Sequence, residues 1–219
     1  MADSTAGPAL IVVSGPPGAG KTTLAHRVAR GVGCPAVCRD EIKEGMAHAS
    51  PGFTPGEGDE LTGRALPAFF GVLRLLLEAG VTTVAEAAFQ DRVWRPRLEP
   101  FLPLARVRVV HCVVDPEAAF ERIGRRRARD ATRRAHPDPG AVGKEAYLER
   151  LRAFDRVRLD VPSIEVDTTS GYRPGLAEIV AFAAGGRRQD PGRVSPRSSA
   201  ASGPSDGAPG PSCAARPPP

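Results

Sequence analysis

A glycine-rich segment near the start of the chain combines the residue types that bind phosphate groups. Residues 15–22 fit the pattern G-x-x-x-x-G-K-[ST] at every fixed position. Glycines let several backbone N–H groups point at one anion, and a helix beginning at Lys21 adds the positive end of its dipole. Lys21 suits the β- and γ-phosphates of a nucleoside triphosphate, and the Thr22 hydroxyl suits Mg²⁺. The predicted cofactor-binding residues are Gly15, Pro16, Pro17, Gly18, Ala19, Gly20, Lys21, Thr22 and Thr23.

A charged segment, Arg39-Asp40-Glu41-Ile42-Lys43, follows the second apolar run of the chain. If that run is a strand of an α/β sheet, the segment lies at the carboxyl end of the strand, where ligands bind. Asp40 could there accept the proton of an attacking hydroxyl group. Asp40 could equally be the N-cap of a short helix over residues 41–44. The residues alone favour neither interpretation.

Two other groups of charged residues are candidates for chemistry. Glu86 ends the third apolar run, where from the residues alone its carboxylate could simply face solvent. Arginines are dense between residues 122 and 134, and helical spacing puts Arg122, Arg125 or Arg126, and Arg129 on one face. From the residues alone, this face could be a solvated basic helix or a patch for nucleic-acid phosphates.

Apolar runs and helical periodicity alternate along residues 8–184 and must position these groups. Short apolar or β-branched runs predict strands at residues 9–14, 35–38, 81–85, 107–114 and 163–167. Three-four spacing predicts helices at residues 21–30, 61–79 and 175–182, and Asp115-Pro116 predicts another helix start. The alternation predicts an α/β fold with an open, five-stranded, mostly parallel sheet and helices on both faces.

The phosphate-binding loop after a strand, followed by a strand ending in RDEIK, resembles the small P-loop kinases of the adenylate-kinase group. The closest branch includes polynucleotide 5′-kinase domains, chloramphenicol phosphotransferase and zeta-toxin-like kinases. The resemblance covers roughly residues 8–184 and implies a P-loop NTPase fold with ATP and Mg²⁺ as cofactors.

The same resemblance implies roles for individual residues. Asp40 corresponds to the general base, and Lys43 to a basic residue that binds the acceptor. Arg122 and Arg126 correspond to arginines of a lid that closes over the transferring phosphate. Related kinases often have Asp at the position of Glu86, near the metal or the acceptor, so Glu86 is expected to contact the acceptor or to contact Mg²⁺ through water. Arg39 is another expected substrate contact. Polynucleotide kinases usually carry arginine where this chain has Lys43, which weighs against a nucleic-acid acceptor.

Composition limits the classes of protein to which the chain can belong. Its 219 residues, of which 41% are hydrophobic, suffice for one domain with its own core. No run of eighteen apolar residues exists, which excludes a membrane-spanning helix. The N-terminus lacks the basic and apolar regions of a signal peptide, so we expect a cytoplasmic protein.

The two ends of the chain differ in character from the part between them. Residues 1–7 are predicted to be a flexible N-terminus, and residues 185–219, rich in Pro, Ser and Gly, a disordered tail. Five Arg and two Asp give the tail a net +3 of the total +5, leaving +2 for residues 1–184. The charge of the folded part is therefore weak evidence for nucleic-acid binding.

The cysteines predict reduced thiols rather than a metal site. Cys34 and Cys38 form a C-x3-C pair with no second pair nearby, whereas a zinc site needs further Cys or His at a matched spacing. Free thiols are the ordinary state of cysteine in the cytoplasm.

Together, these features predict an ATP-dependent kinase that moves the γ-phosphate of ATP to a hydroxyl group of a small molecule. One alternative is a nucleotide-dependent ATPase switch or binding module, and another is a 5′-hydroxyl nucleic-acid kinase. A switch needs no acceptor base, so Asp40 favours transfer. Lys43 and the modest charge of residues 1–184 favour a small acceptor.

Overall fold

In the computed structural model, the strands of the described part of the chain form one parallel sheet. The residues described are 7–56, 58–129, 135–136 and 143–185. The strands are β1 (Ala9–Ser14), β2 (Ala36–Cys38), β3 (Thr83–Glu86), β4 (Arg106–Val113) and β5 (Ser163–Asp167). Their order is β2-β3-β1-β4-β5, and each of the four pairings is parallel. The predicted open five-stranded α/β sheet is confirmed.

Seven α-helices connect and cover these strands within the described residues. They are α1 (Lys21–Val32), α2 (Arg39–His48), α3 (Glu60–Glu78), α4 (Asp91–Leu98), α5 (Pro116–Arg129), α6 (Lys144–Arg152) and α7 (Leu176–Ala184). A 3₁₀ turn, Glu99–Phe101, follows α4. None of the helices in these described ranges is long and apolar enough to cross a membrane.

Helices cover both faces of the sheet. All six residues of β1 are buried, as expected for a parallel strand with helices above and below it. On one face, residues of α1 and α7 such as Leu24 and Ile179 join the core. On the other face, Phe69 and Leu73 of α3 pack with Phe89 and the segment from Val157 to Val161. The expected arrangement of helices on both sides is therefore confirmed.

Two helices, α4 and α6, were not predicted from the sequence, and α2 was predicted only as a possible short helix over residues 41–44, because each of the three buries few side chains. α2 buries only Lys43, α4 only Leu98, and α6 only Leu148 and Leu151. A helix with so few apolar contacts carries little three-four periodicity. β3 begins two residues later and ends one residue later than expected, so that Glu86 belongs to the strand.

The predicted chain ends fall mostly outside the described residues. Residues 1–6 of the predicted flexible N-terminus and residues 186–219 of the predicted disordered tail lie outside them. The last described residue, Gly185, is the C-cap of α7.

Candidate functional site

The glycine-rich loop between β1 and α1 packs directly on neighbouring backbone. A Cβ added at Gly15 would lie 2.5 Å from the Cys112 carbonyl oxygen at the end of β4. At Gly18, where φ is +80°, an added Cβ would lie 2.6 Å from the carbonyl oxygen of Ala119 in α5. Only glycine fits both positions, because larger residues would collide with backbone that cannot move aside. The sequence pattern thus fixes the loop against β4 and α5.

Lys21 and Thr22, at the start of α1, converge with Glu86 at the carboxyl end of β3. The Thr22 Oγ1 donates to Glu86 Oε2 at 3.1 Å, and Lys21 Nζ lies 3.9 Å from Glu86 Oε1. Lys21 Nζ also donates to the Pro16 carbonyl at 3.0 Å. Parallel pairing of Val13 with Glu86 brings β3 beside the loop. The predicted nucleotide and metal residues are therefore brought together.

Glu86 is 2% exposed, so the expectation that its side chain could simply face solvent is wrong. Burial raises the pKa of its carboxyl, with Asp40 adding to the shift and Lys21 opposing it. A carboxylate oxygen beside the Thr22 hydroxyl forms a pair of oxygen ligands of the kind that Mg²⁺ prefers. The pair could hold the metal directly or through its water molecules.

Asp40 is the second residue of α2, not its N-cap. The cap position is Cys38, whose side chain makes no capping hydrogen bond, so the N-cap interpretation of Asp40 is wrong. Arg39 Nη1 donates to Asp40 Oδ1 at 3.1 Å, and Arg39 Nη2 donates to the Thr62 carbonyl at 3.3 Å. Arg39 therefore ties the Asp40 carboxylate to the start of α3.

The pKa of Asp40 is lower than usual, in contrast to that of Glu86. Burial acts to raise it, but electrostatic interactions with His136, Lys21 and Arg39, together with the hydrogen bond from Arg39, outweigh burial. Asp40 is therefore ionised at neutral pH, with 40% of its side chain exposed. His136 also places Nε2 3.1 Å from Glu44 Oε1 of α2. No sequence pattern predicts that His136 lies near α2, since it is 92 residues from Glu44 along the chain.

Lys43 does not face an open pocket. Its Nζ donates to Asp59 Oδ2 at 2.7 Å, and its side chain is 2% exposed. Asp59 is the N-cap of α3, where it accepts from the Thr62 N–H at 2.8 Å. Burial acts to raise the pKa of Asp59, but Lys43 and the backbone donors of Thr62 and Gly56 hold it well below its usual range. The buried pair joins α2 to α3, and it offers no support for the prediction that Lys43 binds the acceptor.

Arg122 holds the protein backbone rather than pointing freely into a lid. Its Nη2 donates to the carbonyl oxygens of Thr168 and Thr169 at 2.7 Å each, and Nη1 lies 3.5 Å from the Gly18 carbonyl. Arg122 thereby connects the glycine-rich loop with the segment after β5. Arg126, one turn further along α5, is exposed. Arg133 and Arg134 lie outside the described residues.

Comparisons with solved structures give the same fold. A provisionally assigned kinase from Chloroflexus aurantiacus J-10-fl is 26% identical with a TM-score of 0.69, covering 80% of this chain and 96% of that one. A sugar kinase from Janibacter sp. HTCC2649 is 23% identical with a TM-score of 0.52, covering 80% and 92%. A chain of the Pnkp1/Rnl/Hen1 RNA repair complex is 16% identical with a TM-score of 0.53, covering 69% and 46%.

The family comparison covers most of the site. Residues 10–156, more than half of the chain, match the AAA_33 family, which is described as an AAA domain. The match includes the glycine-rich loop, Asp40, Glu86 and Arg122. No curated protein sequence matches the chain significantly. The protein belongs to the AAA_33 family, and its predicted resemblance to the P-loop kinases is confirmed.

Proposed function

We propose that this protein transfers the γ-phosphoryl group of ATP to a hydroxyl group of a small molecule. The observation that carries the proposal is the convergence of Lys21 and Thr22 with the buried Glu86 beside the glycine-rich loop, with the accessible Asp40 carboxyl following the neighbouring strand. The pKa values of the two carboxyls are shifted in opposite directions. Opposite shifts at one site are typical of carboxyl groups with different tasks. The buried Glu86 suits metal binding, and the ionised, half-exposed Asp40 suits proton transfer.

The loop binds the phosphates of ATP. Backbone N–H groups of residues 18–22, including those at the N-terminal end of α1, would surround the β-phosphate, and Lys21 would leave the Pro16 carbonyl to contact the β- and γ-phosphates. Thr22 and Glu86 would hold Mg²⁺, which when bound neutralises phosphate charge. Arg122 keeps the loop in place through the Gly18 carbonyl.

Asp40 acts on the acceptor. Its carboxylate accepts the hydroxyl proton as the acceptor oxygen bonds to the γ-phosphorus, while the bond from that phosphorus to the β,γ-bridging oxygen breaks and ADP leaves. Arg39 orients this carboxylate through a hydrogen bond of 3.1 Å. Arg126, one of the predicted lid arginines, is exposed on α5, and its charge is suited to stabilise the transferring phosphoryl group.

The charges around the site favour a small acceptor over nucleic acid. Arg39, Lys43 and Arg122 are engaged by protein oxygens, so none of these three cations is available for a phosphodiester backbone. The alternative of an ATPase switch leaves Asp40 without a task, because a switch hydrolyses ATP and needs no hydroxyl acceptor. Both alternatives remain outcomes of the test below.

The proposal is tested by incubating the protein with γ-labelled ATP, Mg²⁺ and a panel of acceptors. The panel contains sugars, other hydroxyl metabolites and 5′-hydroxyl oligonucleotides. Sugars are tested first, because a sugar kinase shares this fold. We expect label on a small molecule, and no label when Asp40→Asn replaces the wild-type protein. Label released only as inorganic phosphate supports the switch, and label only on oligonucleotides supports the nucleic-acid kinase. Either result contradicts the proposal.

A further inference from the structure

Three side chains beside the candidate site have their polar atoms aimed at one point. His26 lies on α1, Cys38 ends β2, and Glu41 lies in the first turn of α2. His26 Nε2 is 2.8 Å from Glu41 Oε1 and 3.7 Å from Cys38 Sγ. All three atoms lie within 4.8 Å of one another. None of these side chains has a task in the proposed phosphoryl transfer.

We propose that His26, Cys38 and Glu41 form a binding site for Zn²⁺. Thiolate, imidazole and carboxylate are the ligands that zinc takes in proteins, whereas Mg²⁺ prefers oxygen alone. A tetrahedral zinc with ordinary bond lengths separates its sulfur and nitrogen ligands by about 3.6 Å, close to the 3.7 Å between Cys38 and His26. The closer pair, His26 and Glu41, needs only a small rotation of exposed side chains.

The proposed site combines one buried ligand with two exposed ligands. Cys38 is 2% exposed, so its sulfur is fixed at the end of β2. His26 and Glu41 are exposed, with 47% and 45% of their side chains accessible, so a metal ion can enter from solvent. Three protein ligands leave the fourth position of zinc for a water molecule. As the sulfur–zinc bond forms, the Cys38 thiol releases its proton to solvent.

The sequence pattern pointed away from this site for a physical reason. The C-x3-C spacing suggested Cys34 as a partner, but Cys34 is not part of the cluster. The other two ligands come from helices before and after β2, so no linear spacing reveals them. Sheet and helix packing create the cluster.

Zinc at this point would link α1, β2 and α2. Cys38 and Glu41 flank Asp40 in the sequence, so the metal would fasten the turn that carries Asp40 to the helix that carries Lys21 and Thr22. The inference goes beyond the proposed function and does not depend on it, because metal binding is measurable without any phosphoryl acceptor.

The test is a titration of the full-length, metal-free protein with Co²⁺, a spectroscopic substitute for zinc, and then with Zn²⁺. We expect one Co²⁺ per chain, a thiolate-to-cobalt charge-transfer band in the near ultraviolet, and loss of that band as Zn²⁺ displaces cobalt. Cys38→Ser should abolish the band. His26→Gln and Glu41→Gln, both at exposed positions, should weaken Zn²⁺ binding at least tenfold. These two variants keep the proposal testable if replacing the buried Cys38 harms folding.

Matched controls use a cysteine and a histidine outside the cluster. Cys34→Ser and His48→Gln should bind cobalt like the wild-type protein, with the same band. Saturating Zn²⁺ should also raise the melting temperature of the wild type by several degrees, and should do so less in the His26 and Glu41 variants. Absence of a thiolate band, a band that survives Cys38→Ser, or equal zinc affinity in His26→Gln and His48→Gln would overturn the proposal.

Discussion

Two carboxyl groups lie at the ends of neighbouring strands, yet their surroundings differ. Glu86 belongs to β3, is 2% exposed, and accepts a hydrogen bond from Thr22. Asp40 follows β2 by two residues, has a side chain 40% exposed, and accepts from Arg39. Burial dominates at Glu86 and raises its pKa, whereas positive charges dominate at Asp40 and lower its pKa. Both carboxyls interact with Lys21.

The difference suggests that the site has a nucleotide side and an acceptor side. On the nucleotide side, Lys21, Thr22, Glu86 and Arg122 are engaged with each other or with backbone oxygens. On the acceptor side, Asp40 remains accessible and ionised. A metal needs fixed ligands, and a base needs access to its proton donor. Replacing one carboxyl at a time should separate these tasks.

The largest expected effect comes from Asp40→Asn. The amide keeps the shape of the side chain but cannot take a proton, so phosphoryl transfer should fall by about a hundredfold or more. ATP affinity, measured by calorimetry, should stay within about twofold, because Asp40 lies on the acceptor side. Folding should be preserved, since Asp40 caps no helix.

A suitable control is Glu60→Gln, which replaces an exposed carboxyl in the first turn of the next helix. This variant should transfer phosphate like the wild type. If Asp40→Asn also retains wild-type transfer, Asp40 is not the base, and the ATPase switch becomes the better account.

Glu86→Gln should have a smaller effect, of a different kind. The amide loses the negative charge that would hold Mg²⁺, so the Mg²⁺ concentration at half-maximal transfer should rise about tenfold. Excess Mg²⁺ should restore much of the rate, which it should not do for Asp40→Asn. A Mg²⁺ titration of both variants checks this difference. Identical Mg²⁺ dependence in wild type and Glu86→Gln would remove Glu86 from the metal site.

Arg122→Gln tests the backbone contacts of the nucleotide side. Loss of charged hydrogen bonds to Thr168 and Thr169 should cost about 2 kcal/mol of stability. ATP should bind severalfold more weakly, because the loop loses its contact at Gly18. Arg126→Gln on the same helix should lower turnover severalfold without changing the melting temperature. Melting curves and ATP titrations compare the pair, and equal melting temperatures for both variants would contradict the structural role of Arg122.

The nucleotide side could be predicted from sequence because its parts are contiguous. Along the chain, the buried β1 is followed by the loop and then by the start of α1, and each of the three has a strong local sequence pattern. The roles of Glu86 and Arg122 were harder to predict from the sequence. Glu86 meets Thr22 only through the pairing of β3 with β1, and Arg122 meets Thr168 only because the fold brings α5 near the segment that follows β5.

The acceptor side was harder to predict, because charged side chains rather than a periodic apolar face hold its helices in place. α2 buries only Lys43, so the sequence does not reveal how far the helix extends or whether Asp40 is a base or an N-cap. The Lys43–Asp59 pair joins residues of two helices with no common motif. Burial of such a lysine requires a partner that local sequence does not reveal.

The smallest expected effect is on how stability depends on pH, and it should have opposite signs for the two carboxyls. The pKa of Asp40 is lower in the folded protein, so its ionised form contributes stability above about pH 4 and loses it as the pH falls through the folded-state pKa. The melting temperature of Asp40→Asn should therefore lie below that of the wild type at pH 7, and the gap should close in acid.

Glu86 should behave in the reverse manner. Its pKa is higher in the folded protein, so the wild type loses stability relative to Glu86→Gln as the pH rises from about 4.3, the unfolded-state pKa, through the folded-state pKa. Melting temperatures of the three proteins between pH 3 and pH 8, in a constant ionic strength without Mg²⁺, check both trends. A general effect of acid on the fold moves all three curves together and cancels in the differences between them. Parallel curves for wild type and both variants would show that burial and neighbouring charge do not distinguish Glu86 from Asp40, and the division into a nucleotide side and an acceptor side would lose its electrostatic basis.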